Sequence, residues 1–399
     1  MQNKAVLYIS YNGINEPLVQ SQVLNYLRGI SAAGFKFILL TFEKTPLSSD
    51  RCNTIRQELS LLNIDWHYLP YHNRPKVFGT LIDIRNGAAL GAKLAKDNNV
   101  VMVHARSMLS AIMASKIKKR CDIPYLYDIR GFWVDEKFYK GSLRGIFLYR
   151  YAKNIERRVF ADSDGVVSLT HAAVNEIKTN FFDDREAMPP MKVIPTCVDL
   201  NSFSTGARSA ENCANSVRFC YVGSLGEGYL AEEVFRYFSL AREQLRDAKL
   251  KLITRTNVSF LEALAQKYQI SNSALEIKSV KHSEVPSELM NVDVGLSFIK
   301  PHYSKIASCP TKIAEYLAAG IPVVVNTGIG DVDKIVTENE VGDVLYTFST
   351  DEIMDSVEKV SELIEDSGCR KRCLKTAQSC FSLSDGINDY VEIYKEIIN

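Results

Sequence analysis

Residues 309–328, CPTKIAEYLAAGIPVVVNTG, hold a helix, a turn and a strand in one unbroken run. Pro310 suits the first turn of a helix, where its missing N–H leaves no bond unmade. Ile313, Leu317 and Ala318 recur at helical spacing as an apolar stripe, which leaves Lys312, Glu315 and Ala319 for the surface. Gly320 ends the helix. Val323, Val324 and Val325 then form a short strand apolar on both faces, as in a parallel sheet covered on both sides. Thr311 and Lys312 stand beside the free N–H groups of the helix start, a ready anion site. One turn on, the Glu315 carboxylate can accept hydrogen bonds from sugar hydroxyls. A diphosphate and a ribose suit that pairing.

Strand and helix signals alternate on either side of this segment, which predicts doubly wound α/β construction. Strands are expected near 4–9, 36–42, 100–104, 124–128, 165–169 and 192–195, with helices notably over 20–33 and 107–119. A second series restarts at 217–223 and continues at 249–254, 275–278, 293–298 and 321–325. Between the series, 200–216 (LNSFSTGARSAENCANS) is small and polar and reads as a linker. A chain of 399 residues is long for one core and suits two domains.

The formal net charge of +1 lacks the basic surplus of a nucleic-acid binder. Nine cysteines, odd in number and without paired spacing, read as reduced cytosolic thiols. Cys369 and Cys373 lie four apart with Lys371 and Arg372 between them, and a helical surface is expected there rather than a metal site. The opening MQNKAVLYIS reads as a first core strand rather than a secretory signal. No apolar stretch has the length to span a bilayer, so a soluble cytoplasmic protein is expected.

The segment at 309–328 resembles the donor-binding signature of the family 4 retaining glycosyltransferases. Further likeness follows in the family's order. YNGINEPLVQSQVLNYLRGISAAG (11–34) resembles the first loop and helix of a bacterial subgroup that builds surface polysaccharides. HARSMLSAIMASKIKKRCDIPYLYDIRGFWVDE (104–136), ADSDGVVSLT (161–170), VIPTCVDL (193–200) and FCYVGSLGEGYLAEE (219–233) complete it. The resemblance implies the GT-B architecture, two Rossmann-like doubly wound domains facing a central cleft that holds the active site. It implies an acceptor domain over 1–202, a nucleotide-sugar donor domain over 203–384, and a terminal helix over 385–399 that crosses back to the first domain. Ile387, Tyr390, Val391, Tyr394 and Ile398 lie at helical spacing in that last segment.

Within this signature Glu315 is expected to hold the ribose hydroxyls, against the alternative of a solvated helix charge paired with Lys312. The family usually places a second glutamate eight residues earlier, near the transferred sugar; here that position is Ala307. The surrounding KPHYSKIASCPTK (300–312) offers Lys300, His302, Ser304, Lys305 and Ser308 instead. The family also tends to set an arginine and a lysine in the loop after the first strand of the donor domain. That loop reads Gly223-Ser224-Leu225-Gly226-Glu227-Gly228-Tyr229, in which glycines allow close approach to a phosphate but supply no cation. A departing diphosphate needs positive charge. Arg255 is the first replacement expected, with Lys305 and Lys312 as the others.

In the first domain Asp128-Ile129-Arg130-Gly131-Phe132-Trp133 follows a strand end. Many relatives carry a histidine where Arg130 falls, and an arginine there clamps a phosphate or orients a carboxylate instead of acting as a base. Asp128 either accepts a proton from an acceptor hydroxyl or fixes Arg130 through a salt bridge. Gly13 in the first turn is expected to let donor or acceptor approach the backbone, and Ser21 and Gln22 open the next helix as site residues or as a cap. His104 and Arg106 end a strand, with a structural histidine expected. Asp135-Glu136 reads as a solvated pair rather than a metal site. His171 and His282 carry no assignment.

Residues 137–158, KFYKGSLRGIFLYRYAKNIERR, interleave aromatics with seven basic residues. They form either a surface leaning on anionic lipid or an amphipathic helix with a solvated face.

The expected function is transfer of a sugar from a nucleotide diphosphate sugar to a carbohydrate acceptor, a lipid-linked surface glycan, with retention and without metal or other cofactor. A nucleotide-sugar 2-epimerase and a non-catalytic sugar-nucleotide-binding partner of a transferase are the alternatives. A nicotinamide-dependent enzyme is disfavoured because YISYNGINEP lacks G-x-G-x-x-G after the first strand.

Overall fold

Runs three to nine residues long, mostly apolar, β-branched and aromatic, form the strands of two parallel sheets in this computed structural model, which describes residues 4–72, 74–141, 145–182, 188–203, 216–226 and 228–398. The chain divides into two compact units. The first comprises Met1–Pro195, Ile306–Ser308 and Ser384–Asn399, and the second Thr196–Lys305 and Cys309–Leu383.

The first unit is built on β1 (Lys4–Ser10), β2 (Phe35–Glu43), β3 (Ile64–Pro70), β4 (Val100–Arg106), β5 (Tyr125–Asp128), β6 (Gly165–Ser168) and β7 (Met191–Val193). Their order, β3-β2-β1-β4-β5-β6-β7, reverses direction between β1 and β4. In the second unit β8 (Arg218–Val222), β9 (Lys249–Ile253), β10 (Leu275–Lys278), β11 (Val294–Ser297), β12 (Val323–Asn326) and β13 (Gly342–Leu345) follow the order β10-β9-β8-β11-β12-β13. Every strand pair is parallel. Both sheets are therefore Rossmann-like and doubly wound, and ligands are expected at the carboxyl ends of their strands near the reversal points.

The edge strands β3 and β13 are additions to the strands read from sequence. Asp65 and His67 break up the apolar run of β3. β13 begins Gly342-Asp343, both poor strand formers. Gly342 is required there: a Cβ would stand 1.9 Å from the Val323 carbonyl oxygen, so only glycine lets β13 close on β12.

Of the expected linker, Leu200–Phe203 forms a short 3-10 turn and 204–215 lies outside the described residues. The last helix, Leu383–Ile398, belongs to the first unit from Ser384 onward. Tyr390 and Tyr394 are buried, and their rings lie 5.1 Å from Tyr26 and 5.4 Å from Phe35 respectively. Gly29 leaves the space that Ile387 fills; a Cβ there would come within 2.1 Å of its Cδ1. The first helix opens with a π-helical turn, Val19–Val23. Ser21 lies inside that turn and donates to the Pro17 carbonyl at 2.8 Å, so it is not a cap.

Candidate active site

The carboxyl end of β8 turns sharply at Gly223, whose φ of +107° favours glycine. Its N–H is donated to the Ile253 carbonyl at 2.9 Å, which ties the turn to the end of β9. Ser224 is exposed and its hydroxyl accepts from the Gly226 N–H at 3.2 Å, so the loop is self-braced.

Helix Thr311–Ala318 meets this loop because Tyr316 pins it to the sheet. The Tyr316 hydroxyl accepts from the Val222 N–H at 2.8 Å and donates to the Cys220 carbonyl at 3.1 Å. Gly295 in β11 provides the space, since a Cβ there would lie 2.3 Å from the Tyr316 ring. The helix ends as expected: Gly320 has φ +74°, and the Ile321 and Gly320 N–H groups return to the Tyr316 and Leu317 carbonyls.

The depth of this helix corrects the sequence reading. Lys312 and Glu315 do not lie on the surface but are only 7% and 3% exposed. One turn before Tyr316, Lys312 shares its sheet-facing side. Its Nζ has no hydrogen-bond partner among the described residues. It lies 3.6 Å from the Tyr221 ring centroid, 4.9 Å from that of Tyr229, and 3.6 Å from where a Cβ on Gly223 would stand. Two aromatic faces and a glycine turn thus surround an ammonium group with no anion in hydrogen-bond contact among the described residues. Burial pushes its pKa down to about 7, with Glu315 pulling the other way. Burial likewise pushes the Glu315 carboxyl up to about 7, against the Lys312 charge. Such opposed shifts mark a buried pair poised near neutrality. His282 Nδ1 stands 3.5 Å from Glu315 Oε1 at the half-exposed rim. Thr311 is half-buried at the helix start, after Pro310, which serves as the N-cap in extended conformation.

The other expected cations sit differently. Arg255 is exposed at the end of β9 and its side chain has no partner among the described residues. It lines a cavity of about 370 Å³ with Thr254, Thr256, Asn257, Lys278 and Ser279. Lys305 is half-buried on the 3-10 turn Tyr303–Ala307, and its ammonium also lacks a partner among the described residues. Ala307, in the position of the family's second glutamate, is buried in the apolar core of the first unit.

In the first unit Asp128, fully buried at the end of β5, gathers two arginines and a histidine. Arg130 approaches its Oδ2 through Nη2 at 2.6 Å and Nε at 3.1 Å, His104 through Nε2 at 3.2 Å, and Arg106 through Nη1 at 3.6 Å. The last helix closes the cluster: Arg130 donates to the Tyr390 hydroxyl at 2.9 Å, and His104 Nδ1 meets the Tyr394 hydroxyl at 2.5 Å. Burial pulls the Asp128 pKa upward, but Arg130, His104 and Arg106 hold it well below the usual carboxylate range. A sealed carboxylate so held anchors its neighbours and is a poor proton acceptor. The Arg130 side chain is only 15% exposed.

Gly13 is fixed by two carboxylates. Its N–H is donated to Glu16 Oε1 at 3.0 Å, and a Cβ would stand 2.6 Å from Glu43 Oε2. Glu43 in turn accepts from the Ile14 N–H at 2.8 Å and the Thr41 hydroxyl at 2.6 Å.

Two further readings are corrected. Asp135 is not solvated: it is buried, with Lys153 Nζ at 2.8 Å and the Tyr149 hydroxyl at 2.7 Å, while Glu136 pairs with Lys140. Cys369 and Cys373 are buried in the core of the second unit rather than on a helical surface. Among the described residues no cluster of three His, Cys, Asp or Glu side chains is arranged to hold a metal.

Comparison with known proteins follows the same two-part plan. Residues 19–190 match the family described as glycosyl transferase 4-like domain, and 209–379 match glycosyl transferases group 1. An uncharacterized glycosyltransferase of Methanocaldococcus jannaschii is 23% identical over 312 residues, covering 76% of each chain. Among solved structures, sucrose-phosphate synthase from Thermosynechococcus elongatus superimposes with a TM-score of 0.77 at 15% identity, covering 99% of both chains. Anabaena HepE, solved with UDP and glucose, gives 0.71 at 13% identity, covering 99% of this chain and 100% of that one. With the two parallel sheets and both halves of the sequence accounted for, the chain is a GT-B glycosyltransferase of the group 1 family with a glycosyl transferase 4-like first half.

Proposed function

We propose that this protein transfers a sugar from a nucleotide diphosphate sugar to a carbohydrate hydroxyl with retention at the anomeric carbon. The observation that carries this reading is the buried ammonium of Lys312 beneath the Gly223 turn, without a hydrogen-bond partner among the described residues, with Glu315 one helical turn away. A desolvated cation without an anion is costly unless a ligand supplies one. The donor diphosphate meets that need, and the ribose hydroxyls donate to Glu315. Thr311 and the N–H groups of the helix start add donors to the phosphates, and Gly223 and Ser224 let the phosphates approach the backbone. The uridine diphosphate bound by Anabaena HepE supports this ligand class.

Lys312 is preferred over Arg255 as the group that stabilises the leaving charge, because Arg255 is solvated and its field is correspondingly screened. In the step itself the bond from the anomeric carbon to the diphosphate oxygen breaks, and its electron pair leaves with the diphosphate. The acceptor oxygen bonds to the same face of that carbon while its proton passes to the departing phosphate oxygen. Lys312 acts in the transition state, where charge on that oxygen grows. Arg130, held by Asp128, is left to orient rather than to take a proton.

The reading is tested by incubating the protein with UDP-, GDP- and ADP-sugars and a panel of glycosides, following nucleoside diphosphate and product by chromatography. Acceptor-dependent release of diphosphate with a glycoside product is expected. Epimerised donor without any acceptor identifies the 2-epimerase reading, and binding without turnover identifies a non-catalytic partner. Because Lys312 supplies the positive charge, turnover should survive exhaustive chelation. Activity that vanishes with chelator and returns with magnesium or manganese would reassign that charge to a metal.

For the acceptor we infer a lipid-linked surface glycan met at the cytoplasmic face of a membrane. Support comes from helices Trp133–Tyr139 and Ile146–Asp162. Phe138, Tyr139, Ile146, Phe147 and Tyr151 are exposed beside Lys140 and Arg150. No described helix is long and apolar enough to cross a membrane, so the contact is peripheral. The protein should pellet with phosphatidylglycerol vesicles at low salt and less with phosphatidylcholine alone. Phe147→Ser, at a side chain 84% exposed, should weaken pelleting about tenfold or more. Equal partition of parent and variant would leave this face to water.

A further inference from the structure

A second polar cluster lies at the carboxyl end of the first unit's sheet and plays no part in the donor chemistry above. Tyr11 directly follows β1, and Tyr71 and His72 directly follow β3. Asp83, on helix Lys76–Asp97, joins the two ends. Its Oδ2 accepts from the Tyr11 hydroxyl at 2.6 Å and from the His72 backbone N–H at 3.1 Å, while its Oδ1 meets His72 Nδ1 at 2.5 Å. Asp83 is 1% exposed, so three donors satisfy a carboxylate that water does not reach. The helix comes this close because residue 79 is glycine: a Cβ there would lie 2.4 Å from the His72 carbonyl oxygen.

The consequence falls on the other ring nitrogen. With Nδ1–H donated to Asp83, the neutral imidazole carries its lone pair on Nε2. Nε2 has no partner among the described residues, and the side chain is 39% exposed. The ring is therefore held in one tautomer and one orientation, with a strong hydrogen-bond acceptor facing solvent. Half-exposed aromatic faces flank it. The Tyr11 and Tyr71 rings lie 5.4 Å apart, and Lys44 Nζ stands 5.8 Å from the Tyr71 centroid while pairing with Glu16 at 2.9 Å. Aromatic faces beside one well-oriented polar group make a surface for a ring that has apolar faces and hydroxyl edges. This end of a parallel sheet is where such folds bind ligands.

We propose that His72, oriented by Asp83, is a carbohydrate subsite of the first unit, with Nε2 accepting a hydrogen bond from a sugar hydroxyl while Tyr11 and Tyr71 meet the sugar's face. The inference deepens the transferase reading by giving the acceptor a place, and so rests on it. A mere structural tie between loop and helix would explain Asp83 but leaves the aim of Nε2 without purpose.

Six histidines make the ring nitrogens resolvable by nitrogen-15 NMR of imidazole-labelled protein, with His72→Gln assigning the signal. The probes are methyl α- and β-glycosides of glucose, galactose, mannose and rhamnose, with inorganic phosphate as the anion control. At least one glycoside should move the His72 Nε2 resonance saturably, and Asp83→Asn should weaken that binding about tenfold, the scale of one hydrogen bond to a well-oriented group. Should Asp83→Asn fail to fold, ligand-observed saturation transfer on His72→Gln reads the same loss. UDP affinity, which depends on the second unit, should stay unchanged in both variants. No glycoside response, a response equal in parent and Asp83→Asn, or a response to phosphate alone would each overturn the subsite. Failure of the transferase reading would appear separately, as absent nucleotide binding with the glycoside response intact.

Discussion

Lys312→Met should lower kcat by about 10²–10³, the scale of removing one preorganised electrostatic contact, while donor KM changes much less. The same substitution should leave the thermal midpoint at or above that of the parent. Methionine keeps an aliphatic side chain of similar length in the buried site beside Tyr221 and removes an ammonium without a hydrogen-bond partner among the described residues. Replacing such a charge by an apolar group of similar volume is often neutral or stabilising. Loss of turnover without loss of stability identifies a residue kept for chemistry. Arg255→Ala and Lys305→Ala are the comparisons, and steady-state kinetics on all three variants ranks them. Near-parental turnover in Lys312→Met with collapse in Arg255→Ala would move the leaving-group charge to the cavity at the end of β9.

Glu315→Gln should weaken donor binding by about 1.5–3 kcal/mol, since a hydrogen bond to a charged group contributes on that scale. Calorimetric titration with the cognate nucleotide sugar measures it, and equal affinities would remove Glu315 from the ribose. The pair also sets a pH dependence. On the proposed reading Lys312 binds diphosphate as the ammonium, and burial puts its pKa at about 7. As pH rises above that value the cation is lost, so binding must take up a proton and affinity falls. Glu315 accepts ribose hydroxyls best as the carboxylate, and its pKa is also about 7. As pH falls below that value the carboxylate is lost, binding must release a proton, and affinity falls again. Donor affinity should therefore peak near neutrality. Glu315→Gln should remove the acidic limb and, with the carboxylate's pull on Lys312 gone, move the alkaline limb to lower pH.

Much of the second unit was legible because its signals are local. The Gly320 stop and the valine run of β12 follow from residue type and short-range spacing, and both stand where they were read. Depth was not legible. Helical periodicity gives the angle of a side chain about its axis, and Lys312 and Glu315 fall off the apolar stripe by that measure. Tyr316 changes the outcome, because its hydroxyl and the gap at Gly295 draw the helix down onto β8 and β11. No spacing in the sequence links positions 295 and 316 to 223. Arg255 was the first cation expected for the same reason: a strand end is visible in sequence, whereas a cage of two tyrosine rings and a glycine turn is not. The Asp83–His72 tie joins a loop to a helix eleven residues on and carries no motif. Asp135 likewise looked solvated because its partners, Tyr149 and Lys153, lie on another helix.

The central claim is that the Lys312 ammonium waits for the phosphates of a nucleotide donor. Calorimetric titration of the parent and Lys312→Met with UDP and UMP, repeated with the guanine and adenine pairs, tests it most directly. For the base that binds, the parent should prefer diphosphate over monophosphate by about tenfold or more, and Lys312→Met should lose that preference while monophosphate affinity holds. The same preference in both proteins would contradict the account.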